Sequence, residues 1–298
     1  MKTIFTLLGV AALLAACSGN RQDFDATGTF EATEVTVSAE QNGRLLSLDI
    51  TEGMAVNALQ QVGLIDTIQL ALQAQLLGAT KESIASQRPD LTKQIAATRQ
   101  QLEKAELEQK RFEALLKDKA ATQKQLDDAV SQVIVLKKQL EAQISSLGNS
   151  TQSLNSQMSA TDIQRMQVLD QLKKCHITTP ISGTVLSKYA EAGEFATIGK
   201  PLFKIADIEQ MCLRAYVTSA QLSSINIGQI VKVYADFGGG DRKEYQGTVT
   251  WISERSEFTP KTILTDDERA DLVYAVKIAV KNDGQIKIGM YGELKIGQ

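Results

Sequence analysis

The sequence predicts a mixed α+β protein of elongated, modular build. A small β-sandwich is written in two halves, a long antiparallel coiled-coil hairpin separates them, and the C-terminal third is β-rich. Three observations carry this. The stretch NGRLLSLDITEGMAV, Asn42 to Val56, recurs as SGTVLSKYAEAGEFA, Ser182 to Ala196, 140 residues later. Between the copies, Ile68 to Leu172 is rich in Ala, Leu, Gln, Glu and Lys, all good helix formers. After Asp207, short runs of β-branched and aromatic residues alternate with Gly-containing turns.

Bulk composition sets the frame. The chain has 298 residues, room for two or three modules, and its 43% hydrophobic and 22% charged content is that of a foldable protein. Net charge is −3 and no region carries a basic excess, which argues against nucleic acid as a partner. Aromatics are only 5%, as expected of a chain built largely from long helices.

In the repeat, Gly43 aligns with Gly183, Leu46 with Leu186, Ser47 with Ser187 and Gly53 with Gly193. Val35 and Val37, Leu46 and Leu48, then Val62 and Leu64 alternate at period two. Val185, Leu202, Phe203 and Ile205 mark the second copy. Gly43 and Gly53, like Gly183 and Gly193, are expected at turns where a side chain would clash. Neither copy can close a core alone, so the two together form one small sandwich.

The insertion must leave and return to one place, so it reads as a helix out and a helix back. Its seam runs through Leu70, Gln73, Leu77, Thr80, Ile84, Gln87 and Leu91, then Ile95, Thr98, Leu102, Ala105, Gln109, Phe112 and Leu116. It returns through Leu126, Ala129, Val133, Leu136, Leu140, Gln143 and Leu147, then Leu154, Met158, Thr161, Arg165, Val168 and Leu172. The midpoint falls at residue 121 or 122, and Lys117, Asp118, Lys119, Ala120 and Ala121 form the tip. Each arm is about 50 residues, or roughly 75 Å. Steps of four from Gln87 to Leu91 to Ile95 make a stutter, and Pro89 sits beside it. The uncharged stretch around Gly148 lies at the matching height on the returning arm. Two such breaks predict a joint in the hairpin.

After Asp207, the runs MCLRAYV, QIVKVYA, EYQGTVTWI, DLVYAVKIAV and QIKIGMYGELKI are expected strands. A short helix should open at Thr218, with Gln221 completing a capping box. Gly238-Gly239-Gly240-Asp241 is a turn.

The first residues, MKTIFTLLGVAALLAACSG, have one Lys and an apolar stretch too short to span a bilayer, so they read as a signal peptide. Leu14-Ala15-Ala16-Cys17 resembles a bacterial lipobox. That resemblance implies acylation of Cys17 after cleavage before it, and a membrane tether without a transmembrane helix. Cys175 and Cys212 remain. An oxidising compartment would allow them to pair, and the sequence leaves both a disulfide and two buried thiols open. His176 is the single histidine and has no metal-ligand spacing around it.

The split β module, above all PISGTVLSKYAEAGE, resembles the split lipoyl/biotinyl-like domain of HlyD-like membrane fusion proteins, the periplasmic adaptors of tripartite efflux and secretion systems. Lys287-Ile288-Gly289-Met290 stands where that family closes its β-barrel. The resemblance implies a signal peptide over 1–16, an anchor linker over 17–34, a lipoyl-like domain over 35–67 plus 176–207, a coiled-coil hairpin over 68–175 and a β-barrel over 208–298. Arg111, Leu115 and Thr122 have the spacing R-x3-L-x6-T, which resembles the R-x3-L-x6-S motif by which such adaptors dock onto a TolC-like outer-membrane duct. Phe258-Thr259-Pro260-Lys261-Thr262, with Glu268-Arg269, looks like adaptors that accompany ABC-type exporters. Implied partners are therefore an ABC-type inner-membrane transporter, a TolC-like channel, the membrane through its lipid anchor, and further copies in a ring. The implied location is the periplasm, tethered to the inner membrane of a Gram-negative bacterium. No cofactor is implied.

Two other functions are weighed. Asp118-Lys119-Ala120 resembles a lipoylation signal, yet it lies in a charged helical stretch far from both half-motifs and reads as a chance match. No G-x-S-x-G, P-loop or metal spacing suggests an enzyme. A structural coiled-coil lipoprotein without a transport role is the remaining alternative.

Overall fold

The computed structural model describes residues 24–257 and 273–297. The signal peptide, Cys17 and the Phe258–Thr262 and Glu268-Arg269 segments lie outside the described residues. Two compact units divide the chain. One holds residues up to Ala39, Leu45–Gly63 and Ile177 onwards; the other holds Glu40–Arg44 and Leu64–His176.

In the first unit the repeat is a physical one. The first copy supplies β2 (Gly43–Leu48), β3 (Ala55–Val56) and β4 (Gln61–Ile65); the second supplies β6 (Gly183–Lys188), β7 (Phe195–Ala196) and the start of β8 (Pro201–Thr218). The copies exchange the same hydrogen bonds. The Leu45 amide donates to the Glu194 carbonyl at 2.8 Å, and its counterpart Val185 donates to Met54, the counterpart of Glu194, at 2.9 Å. Gly53 donates to Val185, and Gly193 to Leu45. Leu59 donates to Thr179, and Gly199 to Ala39. Every partner moves by the same 140 residues, so the halves are related by a local two-fold exchange. Paired positions form the sandwich core: Leu45 and Val185, Val56 and Ala196, Val62 and Leu202 are all buried.

Each strand pairs across the copies as well. β2 lies beside β7 in a four-stranded sheet of order β5-β4-β2-β7, where β5 is His176–Thr178, while β3 pairs with β6. The Ile65 amide donates to Cys175 at 2.9 Å, which ties the entry of the helical segment to its exit.

The glycines divide into two kinds. Gly53 and Gly193 take φ of 82° and 97° in open turns, a conformation that side chains disfavour. Gly183 is in a strand, and a Cβ there would sit 2.2 Å from the Ala206 carbonyl oxygen. Gly43 also opens a strand rather than a turn, and its Cβ would meet Ile65 at 2.7 Å. The expected turn clash is thus replaced by backbone torsion in one pair and close approach in the other. At the position of Gly199 (φ 86°), the first copy has Leu59 with φ 61°.

Residues 26–34 were expected as part of the anchor linker; they are strand. β1 (Ala26–Ser38) pairs with β8 from Thr27↔Tyr216 to Ser38↔Pro201, and its first residues also pair with β12 (Tyr291–Lys295). The reason is burial: Ala26 and Phe30 face inward, and Phe30 is wholly enclosed. With β9 (Ile230–Gly238), β10 (Asp241–Glu257) and β11 (Val273–Lys281), the pairings close into the cycle β1-β12-β9-β10-β11-β8-β1. Phe30, Leu213, Val233, Ile278 and Leu294 fill it. β8 runs without interruption from the sandwich into this cycle. Gln285–Ile288 are not strand; the chain turns at Gly289 (φ 82°) and the strand begins at Tyr291. Thr218 and Gln221 form the expected capping box of a one-turn helix, α4 (Ser219–Leu222).

The second unit is a helical hairpin. The outgoing arm is α1 (Ile68–Ser86) followed by α2 (Leu91–Lys117), and the returning arm is α3 (Gln123–Lys174). The arms pair symmetrically about a point between residues 121 and 122. Gly78 lies beside Arg165, Lys81 bonds Asp162 at 2.7 Å, Arg88 bonds Asn155, and Glu106 faces Lys137 at 3.6 Å. The Lys81 ammonium holds the Asp162 carboxyl below its usual pKa range.

The break on the outgoing arm falls where Pro89 predicts it, and Asp90 caps α2 by accepting from the Lys93 amide. The returning arm does not break, against expectation. α3 passes through Gly148 as helix. Its polar run satisfies itself: the hydroxyls of Thr151, Ser156 and Thr161 donate to carbonyls one turn back. Leu147 and Leu154 keep the seam on either side. The seam of α2 and α3 is as expected. In α1 the expected Leu70, Leu77 and Ile84 are half-buried, but Ala74 and Lys81 replace Gln73 and Thr80: Ala74 and Gly78 are small enough for close approach of α3, and Lys81 reaches Asp162.

Two substitutions test this fold. Gly183→Ala should destabilise the β unit by about 3 kcal/mol, since backbone cannot yield as a side chain does. Leu59→Gly should stabilise it by up to about 1 kcal/mol by removing left-handed strain. Equilibrium denaturant unfolding reads both.

Candidate functional site

The hairpin tip is built from two capping motifs set back to back. α2 ends at Lys117 with Lys119 at φ 56°. The Ala120 amide donates to Leu115 at 2.8 Å and the Lys119 amide to Leu116 at 3.0 Å. This is a Schellman closure with Lys where Gly is usual. The next helix opens at Thr122 with a full capping box: its hydroxyl accepts from the Gln125 amide, and the Gln125 side chain accepts from the Thr122 amide at 2.9 Å. Between these motifs the chain reverses in Asp118–Ala121, as the sequence midpoint predicts. The Asp118-Lys119-Ala120 triplet is therefore this helix stop.

Arg111 and Leu115 stand one turn apart on the same face of α2. Arg111 is exposed and faces Glu108 at a loose 3.6 Å, so its guanidinium retains free donors. Leu115 is half-buried. Thr122 lies across the turn, exposed, but its hydroxyl is engaged in the cap. A Thr or Ser at this position serves the helix start first, which accounts physically for exchange between the two. Gln125 was missed in the sequence although the T-x-x-Q spacing marks it. Beside the tip, Lys104, Glu108, Phe112, Asp128, Gln132 and Leu136 line an open groove of about 660 Å³ between α2 and α3.

At the hairpin root, Cys175 is buried, and burial together with the Asp66 carboxylate pushes its thiol pKa up. Cys212 is half-buried, and burial is again the main cause of its raised pKa. Both are free thiols, which resolves the two readings left open by the sequence.

A closed strand cycle, a sandwich split by insertion and a long two-arm hairpin together define an adaptor of the membrane fusion type. Residues 33–208 match the family described as RND MFP, barrel-sandwich hybrid domain, and the chain belongs to that membrane fusion protein family. Among curated relatives, the UPF0194 membrane protein of Citrobacter koseri is 28% identical over 323 aligned positions, covering 97% of this chain and 96% of its own. UPF0194 membrane protein YbhG of Salmonella newport matches at the same identity and coverage. In structure the chain is similar to MacA from Actinobacillus actinomycetemcomitans, with TM-score 0.55 and 20% identity over 91% of this chain and 78% of that one. A MacA-MexA chimera carrying the Pseudomonas aeruginosa MexA alpha-hairpin domain gives 0.53 and 20% over 91% and 80%. These likenesses establish the fold.

The cap geometry sets two expectations for the tip. Lys119→Gly should raise hairpin stability by about 0.5–1 kcal/mol. Thr122→Ala should cost about 1 kcal/mol, and Thr122→Ser well under half of that. Helical circular dichroism during thermal unfolding measures each.

Proposed function

We propose that the protein is a lipid-anchored periplasmic adaptor. It links an ABC-type inner-membrane exporter to a TolC-like outer-membrane duct, for efflux or secretion. The observation that carries this reading is the hairpin's single register from Gly78–Arg165 to Glu106–Lys137. A strut must transmit force without sliding, and an antiparallel pair of fixed register does so. α3 alone is 52 residues, roughly 78 Å of continuous helix.

Membership of the membrane fusion protein family supports the adaptor role, and the lipobox-like Leu14–Cys17 supports the anchor. No helix among the described residues is long and apolar enough to cross a membrane. Assembly in a ring is supported by apolar stripes on the faces turned away from the seam. Ile68, Leu72 and Leu76 stand exposed on α1, and Ile163, Met166 and Leu169 on α3. The hairpin register makes the two stripes overlap in height where Ala74–Leu76 faces Gln167–Leu169. One copy's α1 flank can therefore pack on its neighbour's α3 flank, a heterologous contact that forms a ring where the rotation between copies closes.

At the tip, Arg111 would offer planar donors to duct carboxylates or carbonyls, Leu115 an apolar contact, and Thr122 the cap that starts the returning helix. Photo-crosslinking in cells from positions 111, 115 and 122 should trap a TolC-like duct protein, identified by mass spectrometry. Leu115→Asp and Arg111→Glu should each cut export by roughly tenfold or more. Adducts only with itself or with cell-wall material would contradict the reading and favour a structural lipoprotein.

A further inference from the structure

The strand cycle of the β unit has two unlike ends. At one end lie Ala26, Thr218, Ile230, Glu257, Val273 and Lys295, as the registers Ala26↔Leu294, Thr218↔Val273, Glu257↔Val273 and Ile230↔Thr248 require. At the other end β1 and β8 continue into the sandwich. The sandwich covers its own end. Toward the opposite end three large apolar side chains are exposed near one another, with Trp251 on β10 six residues before Glu257. Ile227 is 68% exposed, Ile230 62% and Trp251 41%.

Ile227 sits in the tight approach to β9, where the Gly228 amide donates to the Val249 carbonyl and the Val249 amide to Gln229. Those bonds hold Ile227 and Ile230 against β10 two residues before Trp251. The Lys277 ammonium stands 5.7 Å from the centre of the Trp251 ring, and the two residues are cross-strand partners. A small apolar cluster with an aromatic ring under a cation is the chemistry of a lipid headgroup boundary, where the ring sits at the interface and the ammonium reaches phosphate.

The chain itself indicates which surface lies there. The Asp25 amide donates to Leu294, and the Asp25 side chain accepts from Ile296, so both described termini leave from this same end. Six residues lie between Cys17 and Phe24, a reach of at most roughly 25 Å when fully extended. An acyl group on Cys17 would therefore hold this end within a short distance of the bilayer.

We propose that Ile227, Ile230 and Trp251 form a lipid-contacting foot by which the strand cycle seats on the phospholipid surface, with Lys277 placed over headgroup phosphate. This rests on the anchoring of Cys17 proposed above. It adds that the β unit is oriented on the membrane rather than hanging from it by a free tether. A bilayer fits better than a protein partner because the chain from Cys17 enters the strand cycle at this end.

Trp251 is the sole tryptophan, so its fluorescence reports on this foot alone. The acylated protein is reconstituted into vesicles of phosphatidylethanolamine and phosphatidylglycerol with bromine-substituted acyl chains. Flotation and intact mass report the anchor, and quenching reports the foot. The proposal expects flotation together with a blue shift and at least about twofold quenching of Trp251. It also expects quenching to be largely lost in Ile227→Ser/Ile230→Ser, which still floats. A protein that floats with Trp251 unquenched overturns the foot and leaves the anchor intact. A protein that carries no acyl mass and does not float removes the anchor and the foot with it. Leu107→Gln, on the exposed face of α2, serves as the control and should change nothing.

Discussion

The exchange of backbone hydrogen bonds between the two copies is the constraint on which the rest depends. Leu45 and Val185 each donate to, and each accept from, the opposite copy. A half-module left alone would expose those amides and carbonyls together with one face of Leu45 or Val185, and would have no second layer. Folding of either half therefore requires the other, and the chain between them must return to its start. That requirement makes an antiparallel helical hairpin the natural insertion. The Ile65–Cys175 bond then fixes the root, and everything outward follows from the register set there.

The hairpin shows how little is needed to hold that register. The buried seam is sparse: Ala74 on α1, three residues on α2 and five on α3. Polar pairs at Lys81–Asp162, Arg88–Asn155 and Glu106–Lys137 supply direction rather than much energy, because exposed pairs contribute little. The Pro89 break falls between two of them without altering the pairing. One arm is thus segmented while the other is continuous, and bending at Pro89 would be borne by the Gly148–Ser156 stretch of α3, where hydroxyls already bond back along the helix.

Much of this was legible in the residues. The repeat gave the split sandwich because period-two apolar positions and aligned glycines survive in both copies. The 3-4 spacing from Ile95 to Leu172 located nearly every seam residue, since leucines and valines there have no other burial. Three things were hidden, each for a physical reason. The start of β1 looked like a linker because Ala26–Glu34 is rich in Thr and Glu; its inward side is carried by Ala26 and by Phe30, which packs against Leu213 and Gly292. Two seam positions of α1, Gln73 and Thr80, were each off by one residue, because the inward neighbours Ala74 and Lys81 carry little apolar signal. The expected break at Gly148 failed because one glycine costs about 1 kcal/mol, less than continuous packing against α2 returns. At the tip, the motif spacing marked Arg111, Leu115 and Thr122, while the capping role of Thr122 needed its partner Gln125 to be seen.

The most direct test replaces Gln69–Leu172 with a short Gly-Ser connection and follows the β unit by amide hydrogen exchange and cooperative unfolding. If the exchanged bonds hold the halves by themselves, the shortened chain will fold, with the Leu45, Gly53, Val185 and Gly193 amides protected to the level of global unfolding. It will also no longer support export. Unprotected amides at these four positions would contradict the account, since folding of the two halves would then require the hairpin.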